Sequence, residues 1–187
     1  MRVIGGKFKG KKLIEPKDKE TRPLKDLTKE SIFNIINHSN KFSIDLKKAQ
    51  VLDLFSGVGS FGIECLSRNV KYVTFVENYK GVLPVLKKNL DNLKLVNKFK
   101  IVENDIFKIS DFKKVGNKFD IIFCDPPYKE KKLTTILNSI INQKILNKGG
   151  IIIIHRHKKE KEQFPDSLNV VEEKNYGISK IIFSNIN

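Results

Sequence analysis

From residue 51 onward, short apolar runs alternate with longer amphipathic stretches. Residues 51–55, 72–76, 99–102, 119–124 and 151–155 are runs of this kind, and their near-continuous apolar character suits strands covered on both faces. The amphipathic stretches between them, 59–68, 79–93 and 132–143, read as helices. Strand–helix alternation predicts a mostly parallel α/β sheet. The end of the chain breaks the rhythm. Residues 168–174 and 179–184 are strand-like and are joined through Tyr176-Gly177 with no helix between. They predict an antiparallel pair at the sheet edge, for seven strands in all.

The first 40 residues follow another rule. Residues 2–15 alternate basic and apolar positions around Gly5-Gly6 and Gly10, which predicts a small hairpin or basic arm. Asp26 is placed to cap a helix running to about residue 37. Its apolar residues Ile32, Phe33, Ile35 and Ile36 form one face that must dock on the main domain. The expected division is a basic hairpin-and-helix extension over 1–40 and one α/β domain over 41–187.

Composition narrows the class. A chain of 187 residues can bury a core without disulfides or metals. Cys65 and Cys124 sit in apolar stretches with no metal-ligand spacing, which predicts a reduced, cytoplasmic protein without a metal site. No apolar signal segment follows Met1, and the run 151–154 is too short for a membrane span. The net charge is +15, which points to a polyanionic partner, nucleic acid first. Only four of the 36 basic residues are arginines, and Lys, Ile and Asn share A/T-rich codons, so genome composition can inflate the lysine count. The distribution argues for more than that: residues 1–29 hold ten basic and four acidic residues.

Ligands of parallel α/β sheets bind at the carboxyl ends of the strands, so those positions carry the chemistry. After the first strand runs Asp53-Leu54-Phe55-Ser56-Gly57-Val58-Gly59-Ser60-Phe61-Gly62. Its G-x-G-x-x-G is a weak signal alone, because nicotinamide and flavin enzymes use it too. Asp53, four residues before Gly57, would repel a pyrophosphate and suits a sulfonium or an ammonium group. Glu77 ends the second strand, where a carboxylate can accept from ribose hydroxyls. Asn104-Asp105-Ile106 follows the third. Asp105 can accept from an adenine amine with Ile106 on the ring face, or it can cap the following turn. The fourth strand runs into Asp125-Pro126-Pro127-Tyr128. Two prolines make a stiff turn without backbone donors. The Asp125 carboxylate and the Pro126 carbonyl can each accept one hydrogen of a planar –NH₂ group, with Tyr128 stacked on its ring for roughly 1–3 kcal/mol. The histidines, His38, His155 and His157, show no catalytic spacing. His155 ends a strand and could face the site, but it reads better as a satisfied strand-end residue.

Residues 51–128 resemble a class I, Rossmann-like methyltransferase, and the D-P-P-Y turn resembles that of enzymes acting on amino groups of adenine, cytosine, guanine or, usually as N-P-P-Y, protein glutamine. Arg2-Val3-Ile4-Gly5-Gly6-Lys7-Phe8-Lys9-Gly10-Lys11, Thr21-Arg22-Pro23, Asp26, Glu30, Phe33-Asn34 and the late Tyr176-Gly177 resemble the RsmD family, which methylates guanine N2 in 16S rRNA. The chain departs from that pattern at Leu24-Lys25, where Thr commonly follows R-P. The resemblance implies S-adenosylmethionine as cofactor, held by Asp53, Phe55, Gly57, Gly59, Glu77, Asn104, Asp105 and Ile106. It implies catalysis by Asp125, Pro126, Pro127 and Tyr128, and RNA contacts from Arg22, Lys7, Lys9 and Lys11. The implied substrate is a small ribosomal subunit or its assembly intermediate, met by a monomer. The rival readings are a DNA adenine-N6 or cytosine-N4 methyltransferase, a protein-glutamine methyltransferase, an NAD-dependent oxidoreductase and a non-enzymatic RNA-binding protein.

Overall fold

A computed structural model describes residues 1–16, 24–116, 118–127 and 130–186. Helix α1 (Asp26–His38) precedes β1 (Gln50–Leu54), α2 (Ser60–Ser67), β2 (Tyr72–Val76), α3 (Leu83–Asp91), β3 (Phe99–Val102), β4 (Phe119–Cys124), α4 (Leu133–Asn142), β5 (Leu146–His157), β6 (Leu168–Tyr176) and β7 (Ser179–Ile186). The seven strands form one sheet in the order β3-β2-β1-β4-β5-β7-β6. All pairings from β3 to β5 are parallel, and β7 runs antiparallel to both β5 and β6. The strand order reverses between β1 and β4, which opens a crevice at their carboxyl ends.

Alternation along each strand divides the core in two. Val51, Ile121, Phe123, Ile151, Ile153, Ile181 and Phe183 face α1, α2, α3 and the N-terminal arm. Leu52, Leu54, Ile122, Cys124, Ile152, Ile154 and Ile182 face α4. Phe61 of α2 ties the first layer together: its ring stacks on Phe123 at 4.1 Å and on Phe33 of α1 at 5.6 Å. Each such pair contributes about 0.5–1.5 kcal/mol beyond its buried area. Gly62 sets how close α2 comes to the sheet, since a Cβ there would lie 2.2 Å from the Phe75 ring.

Several local expectations need correction. The expected hairpin is minimal: one antiparallel bridge, Arg2 to Lys12, flanked by the Val3–Lys11 and Leu13–Met1 backbone bonds, around a short 3-10 turn at Gly6–Phe8. Its backbone is spent on α2 and α3. Ile4 N donates to Glu64 (2.8 Å), Phe8 N to the Ser67 hydroxyl (2.9 Å) and Ile14 N to Asn89 (2.8 Å). Asp26 opens α1 but does not cap it; its carboxylate instead meets Arg2 at 3.2 Å and Lys29 at 3.7 Å. Ile35 lies beside the core, while the face that docks fully is Thr28, Lys29, Ile32, Phe33 and Ile36. Helix α3 is shorter than 79–93 because Pro84 fixes its first turn, with Tyr79 to Val82 forming a separate turn.

Candidate active site

Register brings the acidic residues together. Leu54 of β1 is the partner of both Val76 of β2 and Cys124 of β4. Asp53, Glu77 and Asp125 therefore stand at the ends of three adjacent strands. The Asp125 amide reaches back to the Leu54 carbonyl at 3.5 Å, so the D-P-P turn adjoins the glycine loop.

Asp53 is 2% exposed. Its carboxylate accepts the Gly62 amide at 2.9 Å and has no ion-pair partner among the described residues. Burial pushes its pKa well above the ordinary carboxylate range. The Gly62 hydrogen bond opposes that rise, and the charges of Asp125 and Glu77 add to it. Three carboxylates at the carboxyl ends of adjacent strands are suited to a cation, and a positive ligand would lower the cost of ionising Asp53.

Glu77 shapes the loop. One oxygen accepts the Gly57 amide at 2.7 Å, and the other accepts the amides of Asn78 (2.9 Å) and Tyr79 (2.8 Å). The loop's backbone needs the left-handed region at Gly57 and Gly59, with φ of 55° and 86°. Phe55 also adopts positive φ, and its ring lies 6.2 Å from that of Phe107. The Ser56 hydroxyl donates to the carbonyls of Asp53 and Val76. After β3, Asn104 is exposed, Asp105 half-buried and Ile106 buried. Asp105 accepts the Phe107 amide at 3.0 Å through one oxygen. It caps that turn, and among the described residues its second oxygen takes no hydrogen bond, so the two readings of this residue are compatible.

In the D-P-P turn, Pro126 is buried and Pro127 exposed. The Pro127 carbonyl accepts from Arg156 (3.2 Å) and from the Glu130 amide (2.8 Å). Tyr128 and Arg22 lie outside the described residues. Two residues at the end of β5 hold this turn, and no sequence motif assigns them to the site. His155 Nδ1 lies 2.8 Å from Asp125 Oδ1. Arg156, 2% exposed, donates to the carbonyls of Pro127 and Glu130 and pairs with Glu162. The signal is register: β5 runs parallel beside β4, so a polar pair ending β5 must flank whatever ends β4.

The arm's lysines sit elsewhere. Gly6 packs on Ser67, at the far end of α2 from Gly59, roughly 12 Å away along an eight-residue helix. Lys7 and Lys9 are exposed there. Lys11 donates to the Asn92 carbonyl beyond α3, and its ammonium lies 5.7 Å from the centre of the Phe8 ring.

The sequence matches the family model described as Conserved hypothetical protein 95 over residues 1–185. It is 34% identical to YlbH of Bacillus subtilis, provisionally named an rRNA methyltransferase, over 97% of this chain and 96% of that one. It is 31% identical to the ribosomal RNA small subunit methyltransferase D of Haemophilus influenzae, over 95% and 90% of the two chains. The solved structure of Escherichia coli yhhF, provisionally named a methyltransferase, superposes with a TM-score of 0.83 at 25% identity, covering 100% of this chain and 98% of that one.

Proposed function

The chain belongs to the Conserved hypothetical protein 95 family, the RsmD family, and from that premise we propose that it methylates ribosomal RNA with S-adenosylmethionine, at the exocyclic N2 amine of a guanine in 16S rRNA. The observation that carries this reading is the juxtaposition of Asp53, an uncompensated buried carboxylate, with the D-P-P turn one strand away. Asp53, Glu77 and Asp105 would hold the ammonium, ribose and adenine portions of the cofactor, with Phe55, Gly57, Gly59, Asn104 and Ile106 against it. When bound, the cofactor would supply an electrophilic sulfonium methyl group to the amine lone pair, with the neutral thioether as the leaving group.

The chain's own work is alignment and charge. A base amine is a dull nucleophile, because its lone pair is conjugated into the ring. It needs orientation more than a strong base. The Asp125 carboxylate and the Pro126 carbonyl accept its two hydrogens and favour a tetrahedral nitrogen. Asp125 then stabilises the positive charge that develops there, and the surplus proton leaves to Asp125 or to water. Tyr128 covers the base, which must leave its stack to enter. Residues 1–40 serve as an RNA-binding extension of a catalytic domain over 41–187, with the exposed Lys7 and Lys9, together with Arg22, as its proposed phosphate contacts. The protein acts as a cytoplasmic monomer on the small subunit or an assembly intermediate.

Mass spectrometry of rRNA nucleosides from cells with and without the gene tests the product. Loss of N2-methylguanosine from 16S rRNA alone is expected, and an unchanged nucleoside profile refutes the reading. Asp125→Ala should lower turnover by about 10²–10⁴-fold, the range for a group acting on a proton in the transition state, with cofactor affinity retained.

A further inference from the structure

We infer that His155 is a positioning residue for Asp125: it occupies one carboxylate oxygen and so leaves the other aimed at the substrate amine. The inference rests on the clamp reading of Asp125 and adds a residue to it. The register dictates the meeting. Cys124 of β4 is the partner of Ile154 of β5, so the next residues along the two parallel strands, Asp125 and His155, lie side by side on the same face. That face also carries Asp53 and Phe123, by the alternation of the strands.

The contact is tight and sheltered. Nδ1 and Oδ1 are 2.8 Å apart. The His155 side chain is 9% exposed, whereas that of Asp125 is 22% exposed. The imidazole is therefore the fixed member of the pair, and the carboxylate is the one open toward the crevice. A carboxylate at a strand end has a broad terminal torsion. A hydrogen bond from a buried ring fixes it, much as a partner group fixes a catalytic histidine.

Charge supports the same role. Burial lowers the His155 pKa, and so does Arg156 beside it. The Asp125 charge and hydrogen bond outweigh both and hold the imidazole above its ordinary value. Among the described residues, the charged groups bearing on it are Asp125 from the β4 end and Arg156 from its own strand. When protonated, the ring offsets the repulsion between the charges of Asp125 and Asp53. Arg156, holding the carbonyls of Pro127 and Glu130, fixes the backbone of the turn, and His155 fixes its side chain.

The test uses the full chain with NMR and steady-state kinetics. In the wild type, the His155 ring should titrate above an ordinary histidine, and in Asp125→Asn its pKa should fall. His155→Ala should lower kcat by roughly 10- to 100-fold, the scale of an approximately 1 Å misplacement of a reacting group, with S-adenosylmethionine affinity by calorimetry unchanged. His155→Gln keeps a donor within reach of Oδ1 and should recover most of the loss. A wild-type rate in His155→Ala, or a His155 titration indifferent to Asp125→Asn, overturns the inference. An active Asp125→Ala instead overturns the clamp reading, while the NMR titration still reports whether the pair exists.

Discussion

The two ends of α2 each border a buried carboxylate, and they treat it in opposite ways. At the carboxyl end Glu64 is fully buried and completely answered. Arg68 lies 3.0 Å from one oxygen and Lys29 3.8 Å from the other, which also accepts the Ile4 amide at 2.8 Å. Lys29 in turn donates to the Arg2 carbonyl at 2.6 Å, and the Arg68 guanidinium lies over the Phe33 ring at 4.2 Å. Helix α1, α2 and the arm are thereby locked in one arrangement. At the amino end Asp53 has the Gly62 amide and two acidic neighbours. A buried charge is ordinarily paired. Where the protein supplies both partners, the cluster is structural. Where it supplies one sign only, the cluster is poised for a ligand of the other.

Breaking the first cluster should give the largest effect. Glu64→Ala leaves the buried Lys29 with only the half-exposed Asp26 and Arg68 without its partner, and should cost about 3–5 kcal/mol. For a chain of this length that lowers Tm by roughly 6–20 °C. Burial already holds the Lys29 pKa below its ordinary value despite Glu64 and Asp26, so removing the carboxylate lowers it further. Calorimetry should show the destabilisation, with cofactor affinity retained at a temperature where the variant is folded. Unchanged stability would mean that the two ends of α2 do not differ as described.

The second cluster should respond the other way. Asp53→Ala should weaken S-adenosylmethionine binding by about 2–5 kcal/mol, roughly 30-fold to several thousand-fold, without lowering the stability of the free protein. The sign follows from linkage. Burial raises the folded pKa of Asp53, so this group costs stability as pH rises from the unfolded value, about 3.9, through the folded one. Removing it lifts that cost. In the wild type a cationic ligand favours the ionised form. Affinity should therefore rise with pH through the Asp53 pKa and level off above it. Calorimetry in buffers of differing ionisation enthalpy should detect the proton released on binding. Affinity independent of pH in Asp53→Asn but not in the wild type would tie the effect to this residue.

The contrast also marks what the sequence disclosed. Strand positions, the mostly parallel order and the placing of Asp53, Glu77, Asp105 and Asp125 at strand ends follow from local pattern, because each strand announces its own end. The Glu64–Lys29–Arg68 cluster does not, since it joins residues from three segments whose spacing carries no motif. Lys29 reads as one more lysine of a basic arm, and Glu64 as a polar position on an amphipathic helix. Arg156, and the pairing of the strand-end His155 with Asp125, are hidden for a related reason. Their role depends on β5 lying beside β4, a fact of sheet order and not of sequence neighbourhood. Asp26 is no cap because it is already the first helical residue, with Lys25 at the cap position, and its carboxylate turns to Arg2, 24 residues away.

The smallest effect concerns the arm, where basic residues divide between the two kinds of duty. Lys29 is buried and Lys11 is engaged with the Asn92 carbonyl, so both serve the fold before any partner. Lys7 and Lys9 are exposed at the end of α2 distant from the crevice. In the proposed reaction the target base reaches Asp125, so RNA held by these lysines would be flanking chain. Replacing Lys7 and Lys9 together by Gln should reduce the slope of log K against log[salt] for RNA binding by about 2, close to one for each phosphate no longer neutralised. Turnover at saturating RNA should persist. Lys11→Gln should leave the slope nearly unchanged, since that ammonium is already hydrogen-bonded to the protein. Equal slopes for all three proteins would show that the arm's charge meets no phosphate, and would leave its docking on α2 as its whole contribution.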